Sequence, residues 1–288
     1  MTKYLHYAAA LAFVTASPPL LGNYPNERTD GMKLVSEGQH KAAAEFFVQL
    51  AEKHANPVQQ SDALTIAALA TAKDGRPEEA LKLAERIPVP TMAQFCKISL
   101  LEEARQWQKL VDAAEEIDLT TWPEMLIFPA LMARAHARSA LGQHDQAESD
   151  LRLALESAVS NLNQARSWYA MAQNAVAANA GPDKVLAAYA EMIRLRTSGG
   201  GMLQRGLQER ALLLSGMGRH KEALADLAEL DQNTNNDPHW VCAVQIAYGD
   251  VYRSMGETAK AKSSFEKAEA VANAPAAQIE TARKRLAE

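Results

Sequence analysis

The strongest constraint on the fold of this chain is a segment that it writes again and again. "SEGQHKAAAEFFVQLAE" from Ser36, "KDGRPEEALKLAERI" from Lys73 and "ALGQHDQAESDLRLALESA" from Ala140 share one plan. "GMGRHKEALADLAEL" from Gly216 and "SMGETAKAKSSFEKAEA" from Ser254 repeat it. Each has a glycine, a short polar step, a small residue five places after the glycine and an apolar residue nine after it. Self-similarity at a fixed period is the mark of a repeat architecture, in which each unit covers the apolar face of its neighbour.

The turn glycines read as Gly38, Gly75, Gly142, Gly181, Gly218 and Gly256, separated by 37, 67, 39, 37 and 38 residues. The long gap holds a degenerate unit, "KISLLEEARQWQKLVDAAEEI", in which Arg105 replaces the glycine and Leu110 and Ala114 follow in register. Seven units of about 37 residues result. Each reads as two helices. An apolar run such as "FPALMARAHARSAL" (Phe128 to Leu141) precedes the glycine, and a stripe such as Ala147, Leu151, Ala154 and Leu155 follows it. The glycine supplies left-handed backbone where the first helix ends. Small residues recur seven places before it, at Gly31, Ala68, Ala135, Ala211 and Gly249, and five places after it, at Ala43, Ala80, Ala147, Ala223 and Ala261. Both positions mark where paired helices cross closely. In the fifth unit Asn174 and Leu186 stand at these places, which predicts wider packing there.

The pattern resembles the tetratricopeptide repeat family, a helix–turn–helix unit of about 34 residues. The resemblance covers residues 24–273. It is strongest in the last unit, through Tyr248, Gly249, Tyr252, Gly256, Ala261, Phe265 and Ala268. It implies an all-α, right-handed α-solenoid of antiparallel helix pairs. Residues 274–288, "PAAQIETARKRLAE" from Pro275, read as a capping helix with a charged outer face. Asp237-Pro238 reads as an N-cap and first helical residue, and "TSGGGM" at Thr197 as the main hinge.

Composition agrees with a folded helical chain: 48% hydrophobic, 23% charged and only 6% aromatic. A net charge of −5 argues against a nucleic-acid binder, whose footprint is basic. Residues 1–17 read as a signal peptide: Lys3, a short apolar core from Tyr7 to Val14, and Val14-Thr15-Ala16 before Ser17. On that reading the protein is secreted or periplasmic. A cytoplasmic protein whose N-terminal helix stays attached is the alternative. Asn23 follows "LLG" where lipidation requires Cys, so no lipid anchor is expected.

No motif points to catalysis, and no cofactor or metal site is expected. His40, His144 and His220 recur two places after the turn glycine, a position set by the repeat, and no H-E-x-x-H occurs. Cys96 and Cys242 lie in different units and read as small buried hydrophobes. Gly199 to Gly201 lack the Lys-Ser/Thr of a phosphate loop. The adjacent pairs Glu102-Glu103 and Glu115-Glu116 point in different directions on a helix. Trp107, Trp122, Trp168 and Trp240 read first as packing between units, with Trp168 also a candidate for binding.

What the resemblance implies is a protein-interaction scaffold that binds a peptide or partner segment on a concave face lined by first helices. Phasing those helices from the turn glycines puts Met92, Phe95, Met132, His136, Met171, Gln208, Leu212, Asp250 and Arg253 on that face. Family members that clamp a C-terminal carboxylate carry Lys, Asn and Arg there; this chain has mostly Ala, Met, Ser and Leu, so that mode is disfavoured. Two alternatives stand beside the scaffold: a helical accessory module of an enzyme, or itself an unrecognised one, and a repeat module of a larger regulator.

Overall fold

A computed structural model describes residues 23–116, 118, 122–197 and 199–288. The expected signal peptide over residues 1–17 lies outside them. The described residues form α-helices and one short 3-10 turn, with no strand. The helices group into two compact units, one ending at Ser157 and one running from Ala158 to Glu288.

The first unit holds four helix pairs: α1 (Tyr24–Ser36) with α2 (His40–Lys53), α3 (Pro57–Lys73) with α4 (Pro77–Glu85), α5 (Pro90–Glu103) with α6 (Trp107–Glu115), and α7 (Glu124–Ala140) with α8 (His144–Glu156). The second holds three pairs and a single helix: α9 (Asn161–Ala177) with α10 (Pro182–Arg194), α11 (Met202–Gly216) with α12 (His220–Gln232), α13 (Pro238–Ser254) with α14 (Thr258–Glu269), and α15 (Ala276–Ala287). The division falls after the fourth pair, whereas the glycine-rich stretch at Thr197 lies inside the second unit. There Gly201, at φ 68°, presses against Trp240: a Cβ would stand 2.6 Å from the indole.

One turn closes all seven pairs. The residue that ends each first helix is left-handed: Gly38, Gly75, Arg105, Gly142, Asn179, Gly218 and Gly256, with φ between 50° and 82°. The next N–H reaches back to the carbonyl five residues earlier, as Gln39→Leu34, Arg76→Thr71, Gln106→Leu101, Gln143→Arg138, Ala180→Ala175, Arg219→Leu214 and Glu257→Tyr252, all at 2.8–3.1 Å. This is the Schellman closure, which satisfies carbonyls a helix end would otherwise leave orphaned. Arg105 takes the turn as expected. In the fifth pair the turn residue is Asn179, and Gly181 is instead the N-cap of α10 ahead of Pro182. Asparagine tolerates left-handed backbone, and proline suits the first helical position, so the pair turns two residues earlier than glycine spacing alone predicts.

Counted from Asn179, the small position of the fifth pair falls on Ala172, which is fully buried, rather than on Asn174. Elsewhere the expected small residues sit at the crossings. Ala43, Ala80, Ala147 and Ala223 are fully buried, and a Cβ on Gly31 would lie 2.6 Å from Phe46 and 2.7 Å from Phe47. Proline opens α3, α4, α5, α10 and α13, and Asp237 accepts from the His239 N–H at 2.9 Å as the N-cap of α13.

Buried acids hold pairs together from within. Asp150 on α8 takes Arg134 through two bonds of 2.7 and 3.0 Å and Arg138 at 2.8 Å, both from α7. Asp226 on α12 takes Arg210 of α11 at 2.6 and 2.8 Å. Relative to their turns, Arg134–Asp150 and Arg210–Asp226 occupy the same repeat positions.

Candidate functional site

The geometry of the turns fixes which residues the first helices present. Positions ten and six places before each left-handed residue share one helix register. In the first unit these are Arg28 and Met32 on α1, the buried Thr65 and Leu69 on α3, Phe95 and Ser99 on α5, and Met132 and His136 on α7; in the second, Tyr169 and Gln173 on α9, Gln208 and Leu212 on α11, and Ile246 and Asp250 on α13.

Several expected contact residues behave differently from their sequence assignment. Phe95 and Met92 are core residues, 1% and 2% exposed, because α5 is flanked by neighbouring helices that cover both. Met132 is half-buried and His136 exposed, the His136 Nδ1 standing 3.3 Å from Glu102, itself buried on α5. Met171 stands eight places before Asn179 and packs beside the core of the second unit, so it is out of register with the face. Tyr169 and Gln173 occupy the places it was assigned. The signal that finds them is Pro182, which marks Gly181 as the start of a helix rather than the end of one.

Gln208 and Leu212 remain on the face, Leu212 at 40% exposed. Asp250 and Arg253 engage α15 instead. Arg253 donates to the Glu288 carboxylate at 2.6 Å and to the Arg285 carbonyl at 2.7 Å, and Arg285 lies 3.2 Å from Asp250. Arg253 also lies over the Phe265 ring at 4.8 Å. Burial raises the Asp250 carboxyl, and Arg285 and Arg253 work against that rise. These two residues anchor the last helix.

The most organised polar cluster on the first-helix face of the second unit centres on Glu209. Its carboxylate accepts from Tyr169 Oη at 3.0 Å, from Gln173 Nε2 at 2.7 Å and from Tyr189 Oη at 2.5 Å. Gln173 also donates to Tyr189 Oη at 3.0 Å. Burial, then the Glu209 bond and charge, raise the Tyr189 phenol above its ordinary value; burial and Glu209 raise Tyr169 too. Both remain neutral donors. Arg205 lies over the Tyr169 ring, 5.5 Å from its centroid.

The tryptophans pack. Trp122 is buried, Trp168 and Trp107 lie against core clusters and Trp240 covers Gly201. Cys96 and Cys242 are buried free thiols, and burial pushes Cys96 up to about 12, which makes it inert at neutral pH. Among the described residues no group of three or more His, Cys, Asp or Glu side chains is placed to hold a metal, and no helix is long and apolar enough to cross a membrane. The first unit has a groove of about 480 Å³ at its turn edge, floored by Leu81, Leu100 and Leu101, and a smaller one of about 300 Å³ beside Val48 and Leu83. Neither is lined by Met132 or His136.

Comparison with known proteins agrees with this geometry. The tetratricopeptide repeat model matches residues 128–158 and 244–274, which span the turns at Gly142 and Gly256. No curated protein matches the sequence. A tetratricopeptide repeat protein from Parabacteroides merdae superposes with a TM-score of 0.55 at 21% identity, covering 92% of this chain and 99% of its own. The C-terminal part of a TPR repeat-containing protein from Cytophaga hutchinsonii gives 0.53 at 11% identity, with 88% and 98% covered. BtubC from P. vanneervenii gives 0.51 at 17% identity, with 85% and 91% covered.

Proposed function

We propose that this α-solenoid of helix pairs, two stretches of which match the tetratricopeptide repeat model, is a tetratricopeptide repeat scaffold holding a peptide or partner segment on the face made by its first helices. One observation carries the reading. In the second unit the crossing position seven places before the turn stays small, as Ala172, Ala211 and Gly249, whereas the face positions change chemistry from helix to helix, Tyr169 and Gln173 on α9, then Gln208 and Leu212 on α11. Packing does not need that variety, and recognition of an extended ligand does, one side chain after another. Leu212 supplies apolar contact area and the half-buried Gln208 hydrogen-bonding groups on α11, and Met132 and the exposed His136 offer the same two chemistries on α7.

A displayed library of random ten-residue peptides, selected on the full chain, tests this. Selected peptides are expected to bind the native chain and to lose roughly tenfold or more in affinity on a Met132→Glu, Leu212→Glu double variant with an unchanged helical circular dichroism spectrum. Peptides that bind both chains equally would place recognition elsewhere.

We further propose that the protein is exported, on the strength of Lys3, the apolar stretch after it and Ala16 before Ser17. Native protein beginning after Ala16 is the expected result of N-terminal sequencing. Recovery of Met1 or Thr2 from soluble cytoplasmic protein would refute export.

A further inference from the structure

Several other partly buried acids among the described residues have basic partners from the chain itself. Asp62 has Arg28, Asp150 has Arg134 and Arg138, Asp226 has Arg210, and Glu27 has Lys53 and His54. Glu209 does not. Its three bonds come from two neutral phenols and a neutral amide, so it is held in place without being neutralised. The cations nearest in sequence are committed elsewhere: Arg210 to both oxygens of Asp226, and Arg205, one helical turn before Glu209, to the face of Tyr169.

An ionised carboxylate has about four acceptor sites. Three are loaded at Glu209, all from the protein side, and one is left. A carboxylate ordered in this way pays little further entropy to receive a charged donor, and charge-assisted bonds are about twice as strong as neutral ones. The neighbouring Tyr169 ring already carries a guanidinium on one face. Leu212, three places along the same helix, is 40% exposed, so an apolar contact lies within one side chain's reach of the charge.

We propose that Glu209 receives the ammonium or guanidinium group of a Lys or Arg on the bound segment, with an apolar residue beside it resting on Leu212. The inference rests on the first-helix face being the binding face, and gives that face its charge preference. The partner segment is therefore basic and apolar at this point, not acidic.

The test uses ten-residue peptides from the library described above. Those enriched on the full chain are expected to carry Lys or Arg next to Leu, Ile, Val, Met or Phe. Glu209→Gln keeps a carbonyl acceptor for the tyrosines and removes the charge; it should weaken such peptides roughly tenfold. Acetylating the peptide lysine should weaken binding to the native chain by a similar factor and add little further loss on Glu209→Gln. That second arm is read on the native chain, so it holds even where the variant is less stable. Enriched peptides without basic residues, or acetylation and Glu209→Gln acting as independent losses, would overturn the proposal. If peptides lose affinity on the Met132→Glu, Leu212→Glu double variant but not on Glu209→Gln, the binding face stands and the charge preference falls. If no selected peptide responds to any of these changes, both fall.

Discussion

The ring of Phe265 on α14 lies directly on the backbone of Gly249 on α13: a Cβ at Gly249 would stand 2.3 Å from Cε1 of the ring. Two opposed effects meet in Gly249→Ala. Alanine in a helix interior gains about 1 kcal/mol over glycine, while forcing a methyl into a packed site costs about 1–3 kcal/mol. At 2.3 Å from a ring that is itself 1% exposed, the clash dominates. Gly249→Ala is expected to lower stability by about 1–2 kcal/mol in urea unfolding. Gly216→Ala, with nothing within 4 Å of its Cβ, is expected to raise it by up to about 0.5 kcal/mol. An increase in both would mean that α13 and α14 do not cross closely.

The fifth turn makes a sharper test of the repeat. Asn179 is left-handed at φ 50°, and Gly181 is not left-handed. Asn179→Val should therefore cost about 1–2 kcal/mol, since a β-branched side chain fits poorly in that conformation. Gly181→Ala should be near neutral, because its Cβ meets nothing within 4 Å. The opposite order in thermal unfolding would return the turn to the glycine.

Much of the fold was legible because turn and crossing positions answer to one physical requirement each, left-handed backbone or a missing side chain. Arg105 was found by register alone, and the helix start at Asp237-Pro238 by its capping chemistry. Glycine spacing misplaces the fifth turn because Asn179 carries it while Gly181 stands two places on, and that offset puts Met171 on the face in place of Tyr169 and Gln173. The face was less legible for a different reason. A residue on the first-helix stripe becomes surface or core according to how deeply the flanking helices cover it, as Phe95 and Met132 show, and periodicity within one helix does not carry that depth. Arg253 read as an inner cation because its partner, the Glu288 carboxylate, lies 35 residues away.

Asp150 is 2% exposed and bears two arginines. Removing one side of such a group leaves charge buried without a counterion, which costs about 3–5 kcal/mol. Asp150→Ala is expected to destabilise the chain by about that amount, and adding Arg134→Met should recover part of it. A loss below about 1 kcal/mol in denaturant titration would show that the group contributes like a surface pair.

Acid should act at the first pair. Glu27 bonds Lys53 and His54, and these partners hold its carboxyl at about 2, below its ordinary 4.5. Because the folded value is the lower one, the contribution is present above the unfolded value and is lost as pH falls from about 4.5 toward about 2. A carboxyl-carbon NMR titration should place the Glu27 midpoint near 2 in the native chain, and nearer its ordinary value in Lys53→Met. A midpoint near 4.5 in the native chain would contradict the pairing.

The claim that the first-helix face is where partners bind is tested most directly by methyl NMR of the full chain with a selected peptide. Met132 and Leu212 report on that face, whereas Met217 and Met255, 38% and 36% exposed, report on the turn edges. The account predicts that saturating peptide shifts the methyls of Met132, Leu212 or both, and leaves those of Met217 and Met255 in place. Shifts at Met217 and Met255 with Met132 and Leu212 unmoved would contradict it.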